Sequence, residues 1–347
     1  LKKEPENRGK QPKKAEKGGT AGLARFLGRF KGKRICVVGD IIADVFILGK
    51  PYRLSREAPV VVVRYEESRI YPGSAGNTIN NLAALGATVY PVGFVGSDSM
   101  GGKLMDFFSL RKNIDTAGII RTSAGTVTKT RILAGDTHVS KQQVIRIDRD
   151  DGGRPTAREK TLLMERIAAI CPHVDAVILS DYGHGAVSGK VIEYMKILAN
   201  DKLVVGDSRY SLKKYSGLTM ITPNEAEAYA LAGLKDKDPI EDVGEKVLSG
   251  MRLSALLVTR GNRGMTLFLK DGKVHHIPIS GKDDVTDVTG AGDTVCAAVA
   301  LSLASGAGFL DASRIANYAA GIVVMKRGTA TVTVAELKRS IENGGKI

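Results

Sequence analysis

The order in which strand-like and helical patterns follow one another constrains this chain more than any other feature. Apolar runs of strand length at Arg34 to Val38, Thr88 to Val95, Ala176 to Ser180, Leu203 to Gly206, Leu218 to Ile221 and Ser254 to Thr259 alternate with helix-period patterns. Those patterns lie at Asn77 to Leu85, Met100 to Leu110, Ala157 to Ile170, Gly189 to Ala199 and Glu225 to Ala232. Strand followed by helix, repeated, predicts an α/β fold with a mostly parallel central sheet flanked by helices on both faces. Ligands in such sheets gather at the C-terminal ends of the strands. Gly39-Asp40, Ser180-Asp181, Asp207 and Asn224 each follow a strand-like run directly. Two stretches break the rhythm: Val45 to Leu48 with Val60 to Arg64, and Val127 to Leu133 with His138 to Ile147. These are short β-rich runs without intervening helices, and they predict a small separate sheet over about 45–72 and 127–147.

Chemistry concentrates in Asp287-Val-Thr-Gly-Ala-Gly-Asp293, a glycine turn before the apolar helical run Thr294 to Leu303. Gly290, Ala291 and Gly292 are small enough to let backbone N–H groups approach an anion, and the helix N-terminus adds its positive dipole. Asp293, on the first turn, can accept a proton from a hydroxyl lying over that hole, so base and anion site arrive together. An Asp-capped helix after a Gly turn would read the same way locally.

Four further segments occur with it in a fixed order: Gly39-Asp40-Ile-Ile-Ala-Asp44, Pro72-Gly73-Ser-Ala-Gly-Asn77, Thr222-Pro-Asn-Glu-Ala-Glu227 and Val258-Thr-Arg-Gly-Asn-Arg-Gly264. Together the five resemble the signature of the ribokinase-like (PfkB) carbohydrate kinases, over roughly residues 34 to 335. The resemblance implies the ribokinase-like fold, with the small sheet acting as a lid over the sugar, and an ATP- and Mg²⁺-dependent phosphotransferase. It assigns Asp293 as catalytic base with Gly290, Ala291 and Gly292 as the anion hole. Asp44, Gly73 and Asn77 are expected at sugar hydroxyls, although Asn77 could equally cap the following helix. Asn224 and Glu227 are similar to a pair that positions Mg²⁺, and could instead be a cap pair that starts a helix. Thr259, Gly261 and Gly264 are expected at the nucleotide, with Asn317 near its base. Asp287 and Gly328 match positions that hold a monovalent cation such as K⁺ in some relatives. The lid supplies Lys129, Arg131, Arg146 and Asp148. Each alone reads as the solvated face of an edge strand, but three cations on one appendage can hold the phosphate of a sugar phosphate. A homodimer formed through the lid is also implied.

Within the family the resemblance is greatest to kinases acting on D-glycero-D-manno-heptose 7-phosphate at its anomeric oxygen, a step of ADP-heptose and lipopolysaccharide core synthesis. Ser55-Arg-Glu-Ala-Pro-Val60, Thr128-Lys-Thr-Arg131, Gln142-Gln-Val-Ile-Arg-Ile-Asp148, Leu179-Ser-Asp-Tyr182 and Ser254-Ala-Leu-Leu-Val-Thr-Arg260 carry it. The chain departs from that subgroup at Val45, where Arg is usual, at His184, where Lys is usual, and at Ser208, which replaces a Pro before Arg209. Two of these remove a cation near the expected substrate, which keeps a free sugar or nucleoside open as the acceptor. A sensing protein on the same fold would have an altered Asp293 or glycine turn, and neither occurs. A dinucleotide oxidoreductase is excluded because Gly39-Asp40 lacks Gly-x-Gly-x-x-Gly. Many heptose kinases are fused to an adenylyltransferase with a His-x-Gly-His motif; Tyr182-Gly-His-Gly185 does not fit it, so that activity is expected elsewhere.

Composition agrees with a cytoplasmic enzyme: 43% hydrophobic and 25% charged residues are ordinary for a globular protein, and no apolar run approaches the roughly 20 residues that span a bilayer. Cys36, Cys171 and Cys296 are scattered in apolar surroundings and read as core residues rather than disulfides or zinc ligands. None of the five histidines shows zinc spacing. Most of the +14 net charge belongs to the first 34 residues, where twelve Lys and Arg face Glu4, Glu6 and Glu16. Residues 1–22 are nearly devoid of apolar side chains and predict a disordered basic tail, with the kinase domain over 23–347. Without aromatic interleaving the tail does not predict specific nucleic-acid binding.

Overall fold

The computed structural model describes residues 20–135, 141–150, 153–281 and 286–345. Among them, α1 (Thr20–Leu27) leads into β1 (Arg34–Gly39). The chain then leaves for two long strands, β2 (Ile41–Leu54) and β3 (Val61–Ser74), and returns through α2 (Ala75–Ala84) to β4 (Thr88–Gly96), α3 (Ser99–Ser109) and β5 (Ile119–Thr122). A second excursion forms β6 (Thr128–Ala134) and β7 (Gln142–Arg149). The remainder alternates through α4 (Ala157–Ile170), β8 (Ala176–Asp181), α5 (Gly189–Leu198), β9 (Leu203–Ser208), β10 (Met220–Ile221), α6 (Glu225–Ala232), α7 (Ile240–Met251) and β11 (Ala255–Thr259). It closes with β12 (Met265–Leu269), β13 (Val274–Ile277), α8 (Ala291–Ala304), α9 (Phe309–Val323) and α10 (Val334–Glu342).

Two sheets result. The larger has the order β13-β12-β11-β10-β9-β8-β1-β4-β5 and is parallel from β11 to β5, with β12 and β13 added antiparallel at one edge. Alternate residues of its strands face opposite sides, so Ile35, Val37 and Ile178 join a core beneath α2, α3, α8 and α9, whereas Cys36, Val38 and Val177 join a core beneath α4 to α7. Strand order reverses at β1, which pairs with β4 on one side and β8 on the other. That reversal opens a cleft at the strands' C-terminal ends. Helix α8 is buried from Asp293 to Leu303, as expected for a helix apolar on all sides.

The second sheet, β3-β2-β6-β7, stands over that cleft. Its strands are longer than the sequence pattern suggests, because β2 starts one residue after β1 and pairs with β3 from Ile41↔Ser74 to Leu54↔Val61. The strand proposed from His138 begins at Gln142, and His138 itself lies outside the described residues. So does most of the basic tail. Helix α1 begins at Thr20, ahead of the boundary expected at residue 23, and buries Leu23, Phe26 and Leu27. The three cysteines are buried and unbridged. No described helix is long and apolar enough to cross a membrane.

Candidate active site

Asp293 sits on the first turn of α8 and is 4% exposed. Gly290 precedes the helix in the left-handed region at φ 78°, which an L side chain adopts poorly. A Cβ at Gly290 would also fall 2.2 Å from Asn77 Nδ2. That space is needed, because Asn77 Nδ2 donates both to the Gly290 carbonyl at 3.1 Å and to Asp293 Oδ2 at 3.0 Å. The other carboxylate oxygen, Oδ1, accepts from the Tyr182 hydroxyl at 2.8 Å. Burial pushes the Asp293 carboxyl up to about 7, against the opposing pull of Asn77 and Tyr182. A buried carboxylate poised near neutrality can take a proton at physiological pH. At the start of α8 the Ala291 N–H closes a turn on the Val288 carbonyl, and Thr294 N–H begins the helical ladder on Gly290. The N–H groups of Gly292 and Asp293 lie between them without a backbone acceptor among the described residues, as first-turn donors do.

Asp44 on β2 is buried beside Asp293. Its Oδ1 accepts from Arg131 on β6, and Thr329 Oγ1 donates to its Oδ2 at 3.3 Å. Gly73 on β3 has its place explained by the same carboxylate, since a Cβ there would lie 2.2 Å from Asp44 Oδ2. Asp44, Gly73 and Asn77, from three elements, therefore converge beside Asp293. Lys129, Arg146 and Asp148 converge too, lining a cavity of about 330 Å³ with Arg154, Tyr182, His184 and Arg209. Arg146 is paired there with Asp148 through two bonds, of 2.7 and 2.5 Å. Lys129 lies 5.5 Å over the Tyr182 ring, and burial lowers its pKa. Arg131 does not reach this cavity; it is turned to Asp44, with Phe46 beneath it.

A second cavity, of about 210 Å³ and largely apolar, lies on the other side of the α8 N-terminus. Thr259, Gly261, Gly264, Ala291, Gly292 and Asn317 all line it. The Asn317 amide donates to the Pro278 carbonyl at 2.9 Å. Asn224 bridges to Thr259 at the end of β11, which puts the proposed metal pair beside this cavity. Asn224 and Glu227 also form a reciprocal cap on α6, each side chain accepting the other's backbone N–H at 2.9 Å. Burial raises the Glu227 pKa. Asp207, at the end of β9, is raised well above the usual carboxylate range by burial and by the charges of Asp293, Glu227 and Asp181. Such a grouping favours a nearby cation, although no cluster of three metal-ligating side chains exists among the described residues. Asp287 is differently engaged: Oδ1 accepts from Thr289 N–H at 2.9 Å and Oδ2 from Gly328 N–H at 3.0 Å, joining two loops.

A model of the pfkB family carbohydrate kinases matches residues 33–336. The chain belongs to that family. As a PfkB kinase it is 39% identical over 311 residues to the Bifunctional protein HldE of Geobacter sulfurreducens, an alignment covering 88% of this chain and 62% of the relative. It is 36% identical over 323 residues to the HldE of Haemophilus influenzae, covering 92% and 66%. The kinase thus spans less than two thirds of the length of these relatives. Among solved structures it is similar to Escherichia coli phosphofructokinase-2 in complex with potassium, with TM-score 0.74, 16% identity and coverage of 90% and 99%. Thermotoga maritima ribokinase gives TM-score 0.69, 21% identity and coverage of 90% and 100%. The fold is ribokinase-like, and the enzyme is a sugar kinase.

Three residues of this kinase's site escaped the motif reading. Tyr182 was visible only as part of Leu179-Ser-Asp-Tyr182, and nothing local says that its hydroxyl reaches Asp293. Arg154 lies in the connection after the lid, where no motif draws attention to it. Arg209 was noted for its changed neighbour: Ser208, in place of Pro, donates to Asp181 at 3.0 Å and accepts from the Ser211 N–H at 2.9 Å, which ties down the turn carrying Arg209. Asp40, in the first motif, anchors a loop. Its buried carboxylate accepts the N–H groups of Tyr182, His184 and Ala186.

Proposed function

We propose that this kinase transfers the terminal phosphoryl group of ATP to the anomeric hydroxyl of a sugar phosphate, D-glycero-D-manno-heptose 7-phosphate, in the cytoplasmic synthesis of ADP-heptose. The observation that carries the reading is that two direct neighbours of Asp293, Tyr182 and Gly292, line two different cavities. On one side Tyr182, bonded to Asp293, lines a cavity bearing Lys129, Arg146, Arg154 and Arg209. On the other, Gly292 lines the apolar cavity suited to a nucleotide. An acceptor whose phosphate lies among the cations would reach Asp293 with a hydroxyl at its other end. The similarity to HldE proteins over nearly the whole chain supports the heptose.

In this reading Asp293 takes the acceptor proton as the hydroxyl attacks the phosphorus. Asn77 holds the carboxylate from one side, Asp44 binds an acceptor hydroxyl within the space left by Gly73, and the free N–H groups of Gly292 and Asp293 receive charge developing on the transferred group. Asn224 and Glu227 would hold Mg²⁺ through water, and the ion would neutralise charge on the nucleotide phosphates. Asp287 and Gly328 would border a monovalent-cation site, with the Asp287 carboxylate already held by backbone donors. Exposed apolar side chains on the lid, among them Tyr52, Leu54, Tyr65 and Ile145, support pairing of two copies there.

The second reading, a free sugar or nucleoside as acceptor, is favoured by the ion pairs that already engage two lid cations, the part-buried Arg131 with Asp44 and the exposed Arg146 with Asp148. ADP release against heptose, hexose and pentose acceptors, each with and without a terminal phosphate, separates the two. The phosphorylated heptose should lead by at least about tenfold, or about 1.4 kcal/mol. A faster unphosphorylated acceptor would displace the first reading.

A further inference from the structure

Tyr182 has no part in the motif chemistry, yet it touches both halves of the site. Its hydroxyl donates to Asp293 Oδ1 at 2.8 Å, and its ring walls the cationic cavity under Lys129. The turn that carries it is fastened: the backbone N–H groups of Tyr182, His184 and Ala186 donate to the buried Asp40 carboxylate at 2.8, 3.0 and 3.0 Å. Asp181, the preceding residue, accepts from Gly183 N–H at 3.0 Å and from Ser208 Oγ at 3.0 Å. Two strand ends, β1 and β9, thereby fix where the Tyr182 hydroxyl points.

We propose that Tyr182 is a positioning residue for phosphoryl transfer, its hydroxyl orienting the Asp293 carboxylate toward the acceptor cavity. The inference rests on the reading of Asp293 as the base. With Asn77 on Oδ2 and Tyr182 on Oδ1, the plane of the carboxylate is set from two sides, while each oxygen keeps a further lone pair for the acceptor proton.

The arrangement has a consequence that simple packing of a tyrosine lacks. The groups facing Asp293 are Asn77 on α2, Tyr182 after β8, Asp44 on β2, Lys129 on β6, Asp207 on β9 and Cys296 on its own helix. Burial raises the Asp293 carboxyl, and the Asn77 and Tyr182 donors oppose that by stabilising the ionised form. Removing the Tyr182 hydroxyl takes away one of these donors, so the carboxyl titrates at higher pH. Since the ionised form accepts the proton, activity is lost most at low pH and returns as pH rises.

The experiment is the pH profile of kcat for Tyr182→Phe against the unaltered enzyme from about pH 5.5 to about pH 9. It uses ATP and the fastest acceptor of the panel above, D-glycero-D-manno-heptose 7-phosphate on the proposed reading. The acid limb should move upward by about one pH unit, giving about a tenfold loss below the limb that narrows toward the plateau. An unmoved limb overturns the inference, whatever the size of a uniform loss. If Asp293→Asn itself retains turnover, the base assignment fails first. If Asp293→Asn is inactive and Tyr182→Phe keeps the original limb, the base stands and the role of Tyr182 alone falls.

Discussion

Asn77 and Asp293 lie 216 residues apart and are joined by a 3.0 Å hydrogen bond, the amide nitrogen donating to carboxylate Oδ2. The same amide holds the Gly290 carbonyl, so one side chain of α2 secures both the turn before α8 and the acidic residue on its first turn. Asn81 Nδ2 in turn donates to Asn77 Oδ1 at 3.0 Å, which orients the amide. The resemblance places Asn77 at a sugar hydroxyl; its geometry makes it a partner of Asp293.

Asp293→Asn should lower turnover by on the order of 10²–10⁴ while leaving ATP affinity largely unchanged, because the carboxylate acts on the acceptor hydroxyl and not on the nucleotide. Steady-state rates with a parallel nucleotide titration check this. Near-normal turnover would remove Asp293 from the mechanism.

The same variant should be more stable than the unaltered protein in the absence of ligands. The folded-state pKa of Asp293 is raised from 3.8 to about 7. Its favourable contribution is complete below the unfolded pKa and is lost as pH rises toward the folded one. The gain from Asp293→Asn should therefore grow between about pH 4 and about pH 7 and then level off, at on the order of 4 kcal/mol. Urea unfolding at several pH values reads it, and a pH-independent difference would contradict the buried-charge account.

The cations divide into two groups. Lys129→Ala or Arg209→Ala should raise the Michaelis constant for a sugar phosphate by about tenfold, the effect of a lost charged hydrogen bond of about 1.5–3 kcal/mol, with little change for ATP or an unphosphorylated sugar. Arg131→Ala should impair both acceptors alike and lower stability by about 3 kcal/mol, since it strands the buried Asp44 carboxylate. Equal small effects from all three would mean that none meets a phosphate.

Gly290→Ala places a methyl group 2.2 Å from Asn77 Nδ2 at a φ of 78°. A loss of about 1–3 kcal/mol is expected from the strain and the displaced amide, together with a fall in turnover. Gly292 faces open space, so Gly292→Ala should leave stability within about 0.5 kcal/mol and act on nucleotide affinity instead.

At the N-terminus, removing residues 1–19 should leave the melting temperature and turnover unchanged, as expected for a polar segment with almost no apolar side chains to bury. Extending the deletion through Leu27 removes the buried Leu23, Phe26 and Leu27, and Phe26→Ala alone should cost about 3 kcal/mol. Thermal unfolding of the two truncations distinguishes them.

Elements whose physics is local were legible from the chain alone. The α4 and α6 helices run over Ala157–Ile170 and Glu225–Ala232 as their periodicity and caps imply, and the strand-helix alternation specified the parallel sheet. The glycine turn and Asp293 were equally plain, since an αL residue, a helix start and a first-turn carboxylate are all set within seven residues. Helices α7, α9 and α10 and strands β5 and β12 are not marked by the sequence pattern. Tertiary structure decided everything that depends on distant pairing. Lys129 and Arg131, two residues apart, share one face of β6, and the register sets Lys129 beside Asp44 and Arg131 beside Phe46; only the tertiary structure turns Arg131 onto Asp44 and leaves Lys129 for the cavity. Tyr182 reaches Asp293 across 111 residues because β8 ends at the sheet's reversal point beside the start of α8. Periodicity records which face of an element is buried. It carries no record of which charged group on another element waits there, and that meeting set the ionisation of the base and the identity of its neighbours.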